Sequence, residues 1–227
     1  MLSGVDAGWK GHNWETPDRT PPNASFRLRA ISFHRMVAGT EFRPGPRAAA
    51  MKNVVYFDLE TQKAADEVGG WNHISRMGMS VGVTYSTARG DYRIYSERRV
   101  NELIAELQRA DLVVGFNNLR FDYEVLHGYT AFDLRQLPTL DMLAALQKSL
   151  PHRLSLDSIA AATLGVEKTS DGLQAIRWFR EGRLLEIAEY CCYDVKITRL
   201  IHEYGETRRQ LFYRNRFGNK LAVAVSW

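Results

Sequence analysis

Apolar and polar positions divide the chain into an irregular leader and a regular succession of elements. The run Val54-Val55-Tyr56-Phe57-Asp58-Leu59 is nearly continuous in β-branched and aromatic residues, the pattern of a strand buried on both faces. "MGMSVGVTYS" and "GDYRIYS" follow as two more strands joined through a glycine-containing turn, so a three-stranded meander is expected. The period then changes. "VNELIAELQRA" repeats its apolar positions at helical spacing, "DLVVGFN" reads as a buried strand, "FDYEVLHGY" as a helix start, and "LPTLDML" as a short strand running into a helix. After Pro151 the pattern is helical through "LSLDSIAAATLG", "DGLQAIRWFREG" and a long segment from Leu184 to Leu211. "FYRNRFGNKLAVAVSW" closes the chain as a hairpin turning at Gly218-Asn219. The fold class this predicts is α/β: a mixed sheet flanked by helices, with a C-terminal β-hairpin.

Residues 1–50 show neither period and are rich in proline, arginine and small residues. They are expected to form a disordered basic leader, with one folded domain over 51–227. Two uses of the leader remain open: an arm that binds nucleic acid, or a spacer or translated upstream sequence preceding a start at Met51.

Length and composition agree with one substantial core, since 227 residues at 45% hydrophobic and 25% charged have the balance of an ordinary globular domain. No apolar run approaches the roughly 20 residues of a membrane span, and no signal-like segment opens the chain, so a cytoplasmic location and no membrane partner are expected. The net charge of +4 resides mostly in the leader, where seven Lys and Arg face four Asp and Glu. A polyanionic partner is permitted but not demanded. Cys191 and Cys192 are adjacent within a helical pattern, which excludes a disulfide between them and lacks metal spacing. In "ETRRQLFYRNR", Arg208, Arg209, Arg214 and Arg216 can track a phosphate backbone, although a solvated face is the plainer reading.

The chemistry lies in the acids. Asp58 and Glu60 are two apart on a strand and project from one face. Asp122 opens a helix, where capping alone would account for it. Asp194 lies four residues after Tyr190 on one helix, so the two face the same way. Taken singly, each acid is adequately explained as a cap or a surface charge. Gathered at the edge of a core they would repel one another unless a cation neutralised them, and Mg2+ or Mn2+ suits such oxygen donors. Two ions about 4 Å apart would activate water and stabilise the leaving oxygen in phosphodiester cleavage.

Three short segments in order, "FDLET", "NNLRFD" and "YCCYD", resemble the motifs of the DEDD-type 3'-5' exonucleases of the ribonuclease H-like superfamily. The Tyr-x-x-x-Asp form is similar to the tyrosine subclass. The middle segment resembles most the proofreading domains of family B DNA polymerases and predicted exonucleases related to them. The resemblance runs from Met51 to about His202 and implies a ribonuclease H-like sheet. It also implies that Asp58, Glu60 and Asp194 bind one metal ion, that Asp58 bridges to a second which Asp122 holds directly or through water, and that Tyr190 orients the attacking water. Asn117 and Phe121 would border the cleft, Phe121 either stacking on a terminal base or packing in the core.

The function this implies is a two-metal 3'-5' exonuclease acting on single-stranded DNA or RNA 3' ends, DNA favoured. The alternatives are an exoribonuclease or a non-catalytic nucleic-acid-binding module partnering a helicase or polymerase. Clustered negative charge facing a phosphate backbone argues against the last, because a pure binding module has no use for it.

Overall fold

The structure is a computed structural model that describes residues 52–166 and 172–227. The leader, and with it the expectation of disorder over 1–50, lies outside the described residues. Five strands form a mixed sheet: β1 (Val54–Thr61), β2 (Met79–Ser86), β3 (Asp91–Ser96), β4 (Leu112–Gly115) and β5 (Thr139–Asp141). Their order is β3-β2-β1-β4-β5, with β1, β2 and β3 antiparallel and β4 and β5 parallel to β1. The expected meander is therefore present, and the parallel strands follow once helices begin to alternate with strands.

β1 is central, and its alternation feeds two cores. Val55, Phe57 and Leu59 pack with Leu103, Ile104 and Leu107 of α1 (Val100–Leu107) and with Tyr123, Val125 and Leu126 of α2 (Asp122–Leu126). Tyr56 faces the other layer, built from α3 (Met142–Gln147), α4 (Leu156–Leu164), α5 (Gly172–Arg180) and α6 (Leu184–Arg208). Each fully buried aliphatic or aromatic side chain contributes about 1.5–3 kcal/mol of transfer free energy. A strand with both faces covered is thus an anchored platform for what its end carries.

The long helix ends before the apolar pattern does. Arg209 adopts a left-handed conformation (φ 56°) and donates its N–H to Gly205 O at 2.8 Å, which stops α6 at Arg208. The chain continues as β6 (Gln210–Arg214), paired antiparallel with β7 (Lys220–Ala224). Leu211, expected as the last helical residue, is instead a strand residue buried opposite Val223. The hairpin turns through residues 215–219, where Asn215 Oδ1 accepts the N–H groups of Phe217 and Asn219. Arg209 donates to the carbonyl of Trp227 and Arg214 to that of Gly218.

Candidate active site

β1 outruns its parallel neighbour, which pairs with it only over Val54–Tyr56. The remaining turn of pleat carries Asp58 and Glu60 past the edge of the core, on the face that Tyr56 presents to the layer of α6. That helix buries a stripe of Ile187, Ala188, Cys191, Val195 and Ile201 against the sheet. Tyr190 and Asp194, one turn apart at the border of this stripe, are brought over the end of β1. Carboxylate oxygens of Asp58, Glu60 and Asp194 lie within 4.8 Å of one another. The Tyr190 hydroxyl neighbours the carboxylates of Asp194, Glu60 and Asp58, and its ring packs edge-on to Trp178 at 6.5 Å.

Asp122 adjoins this trio from the start of α2. Its Oδ1 accepts the N–H of Leu59 at 3.1 Å, a buried backbone donor beyond the last pairing with β4. Its side chain therefore ties the start of α2 to β1. Asp58, Glu60, Asp122, Asn117, Phe121 and Tyr190 line one cleft of about 810 Å³. Phe121 both borders that cleft and packs against the α2-side core.

Two contributors escaped the sequence reading. Asp141, at the end of β5, accepts the N–H of Asn117 at 2.9 Å and that of Leu119 at 3.2 Å, while capping α3 through Ala144 N at 3.1 Å. It holds the loop that carries Asn117, whose φ of 72° is a left-handed conformation asparagine tolerates. The strand-to-helix signature around Asp141 was visible, but nothing local ties it to a loop more than twenty residues earlier. Cys191 is buried, with its thiol 3.4 Å from both the backbone oxygen and Oδ2 of Asp58.

The electrostatics follow from crowding. Burial, with Asp122, Asp194 and Glu60 nearby, pushes the Asp58 carboxyl well above the usual carboxylate range. Burial, Asp194 and Asp122 do the same to Glu60. Asp122 is raised to about 7 by burial, although hydrogen bonds from backbone N–H groups pull the other way. Among the described residues no basic side chain pairs with Asp58, Glu60 or Asp122. The contrast is Glu106, a buried acid on the far side of the sheet that Arg89 pairs at 2.6 Å and that Thr84 and Tyr95 hydrogen-bond.

A pH prediction follows with a definite sign. The folded-state pKa values of these acids lie above their unfolded values, so the folded metal-free protein binds more protons across the interval. The cluster's contribution to stability is fully present below about pH 4, and is lost as pH rises through about 7 for Asp122 and through the raised range of Asp58 and Glu60. In chelator, the contribution of this cluster lowers the melting temperature over that interval, and Asp122→Asn should flatten the slope. A slope unchanged by that substitution would show that the cluster does not govern it.

The donor set, all carboxylate oxygen, fits a hard divalent cation. Asp58, Glu60 and Asp194 would hold it.

A mixed sheet in this strand order, with acids gathered at the end of its central strand, defines a ribonuclease H-like fold with a metal-type site. The family model of the RNase_H superfamily matches residues 55–205, and the chain belongs to that superfamily. Among solved structures it is similar to the family B DNA polymerase from the hyperthermophilic archaeon Pyrobaculum calidifontis, with a TM-score of 0.52 and 16% identity over 74% of this chain and 25% of that one. The likeness is one of fold, and the chain spans about a quarter of the polymerase's length. No curated protein matches. Superfamily membership and the acidic cluster together support a nuclease. No helix among the described residues is long and apolar enough to cross a membrane.

Proposed function

We propose that the protein is a metal-dependent 3'-5' exonuclease that hydrolyses phosphodiester bonds at single-stranded nucleic-acid ends, DNA in preference to RNA. The observation that carries this reading is the convergence of Asp58, Glu60 and Asp194 within 4.8 Å, with the Tyr190 hydroxyl beside them. Bound divalent cations would supply activation of the attacking water and stabilisation of the leaving 3'-oxygen. Asp58, Glu60 and Asp194 would hold one ion, and Asp122, braced by the Leu59 N–H, would with Asp58 hold a second. Burial and the neighbouring carboxylates hold the Tyr190 phenol well above its usual range, so it stays protonated and acts as a hydrogen-bond donor that orients water, not as a base. Asn117 and Phe121 border the terminal nucleotide. The direction of digestion and the preference for DNA rest on the resemblance of the three motifs to those of proofreading exonucleases.

With Mg2+ or Mn2+, 5'-labelled single-stranded DNA should shorten to a ladder while a 3' label is released as mononucleotide, and chelation should stop both. An equivalent RNA strand should be degraded more slowly. Internal cuts, or faster loss of RNA, would overturn the assignment of direction or sugar respectively.

A further inference from the structure

The groove does not end at the carboxylates. A second cavity, about 760 Å³, adjoins the first and shares Trp71, Asn117, Phe121 and Arg153 with it. The charge balance changes between them: Asp58, Glu60 and Asp122 outnumber Lys63 and Arg153 in the first, whereas the second carries Arg120, Arg135 and Arg153 against Glu124 alone. Arg120 and Arg153 are exposed, and neither side chain has an ion pair or hydrogen bond with any described residue. Arg135 is paired with Glu124.

Trp71 stands at the junction. It is 68% exposed, and its ring centroid lies 6.4 Å from that of Phe121, the planes inclined at 58°. The chain reaches it through Gly69 and Gly70, both at positive φ, which any other residue would resist. A lone exposed tryptophan on a surface means little. An indole left open to solvent where an acidic chamber meets a basic one offers a stacking face beside phosphate-binding charge, the combination by which proteins hold single strands without reading sequence.

We propose that the second cavity is the track for the nucleotides preceding the 3'-terminal one, with a base stacked on Trp71 and phosphates met by Arg120, Arg153 and Arg135. This rests on the nuclease reading and specifies its substrate: a single strand, since paired bases in a duplex cannot be splayed onto the indole. The acidic chamber accepts the terminal phosphodiester only when cations neutralise it, whereas the basic track attracts the strand without them.

The test compares an oligothymidylate ten-mer with the p-nitrophenyl ester of thymidine 5'-monophosphate, which has no preceding nucleotide to occupy the track. Trp71→Ala should lower the ratio of kcat/KM for the ten-mer to that for the ester by about 5- to 100-fold, the range for loss of one base–aromatic stack. Trp71→Phe should restore most of it. In ten-mer binding followed by anisotropy with Ca2+, Arg120→Ala and Arg153→Ala should each reduce the salt slope by about 0.7, the value for one single-strand phosphate contact. A ratio and slope unchanged in these variants, or tighter binding of a blunt duplex than of the single strand, would overturn the track. Oligouridylate binding as tightly as oligothymidylate would leave the track standing, because backbone and stacking contacts do not select the sugar. Failure of the wild-type protein to hydrolyse either substrate with Mg2+ or Mn2+ would reject the nuclease reading, and the binding arm would still decide the track.

Discussion

Asp58→Asn is expected to reduce hydrolysis of single-stranded ends at least about a thousandfold, since a metal ligand's share of transition-state stabilisation is several kcal/mol. The same substitution should raise the melting temperature of the metal-free protein. Asp58 sits in a crowd of Glu60, Asp122 and Asp194 whose mutual repulsion, added to burial, already drives its carboxyl well upward, so the native cluster is under electrostatic strain without a cation. Asparagine keeps the shape and an oxygen for the Cys191 thiol, and removes one charge. Activity and stability should therefore move in opposite directions, the signature of a site that trades stability for function. Thermal melts with and without Mg2+, beside turnover, read both; parallel loss of the two would make Asp58 a structural carboxylate.

Tyr190→Phe should lower the rate by about 10- to 1000-fold, the range of one positioned catalytic donor, with little change in substrate affinity. The ring's packing on Trp178 survives the substitution, so the melting temperature should stay close to wild type. Tyr190→Ala removes the ring as well and should lose stability in addition. Single-turnover cleavage and melts for both variants separate water positioning from scaffolding, and wild-type cleavage by the phenylalanine variant would end the positioning role. Tyr193 is no substitute, as it lies on another face of α6 one residue from Asp194.

How much of this was legible varies by element. The strand at Val54, the meander, the helix–strand alternation and the hairpin were all readable, because alternation and helical spacing report which faces are covered. The end of α6 was misplaced by three residues, since an apolar Leu211 satisfies a helical pattern and a strand pattern equally, and only the left-handed turn at Arg209 decides between them. Of the basic residues that stand out by density, Arg208 to Arg216, Arg209 and Arg214 are engaged with backbone carbonyls of the C-terminal segment. Those lining the groove, Arg120, Arg135 and Arg153, are scattered singly along the chain and gave no local signal.

By itself the sequence determined that Asp58 and Glu60 share one face of a strand and that Tyr190 and Asp194 share one face of a helix. Those relations depend only on the periods of the local backbone, which neighbours along the chain dictate. Only the tertiary structure decided that α6 crosses the end of β1 closely enough to set Asp194 within 4.8 Å of the other two acids. It also decided that Asp122 braces Leu59, that Asp141 ties down the Asn117 loop, and that Trp71 meets Phe121 between an acidic and a basic chamber. Such meetings are set by how buried faces on distant segments pack against a common sheet, a cooperative outcome of the whole core that no window of sequence contains.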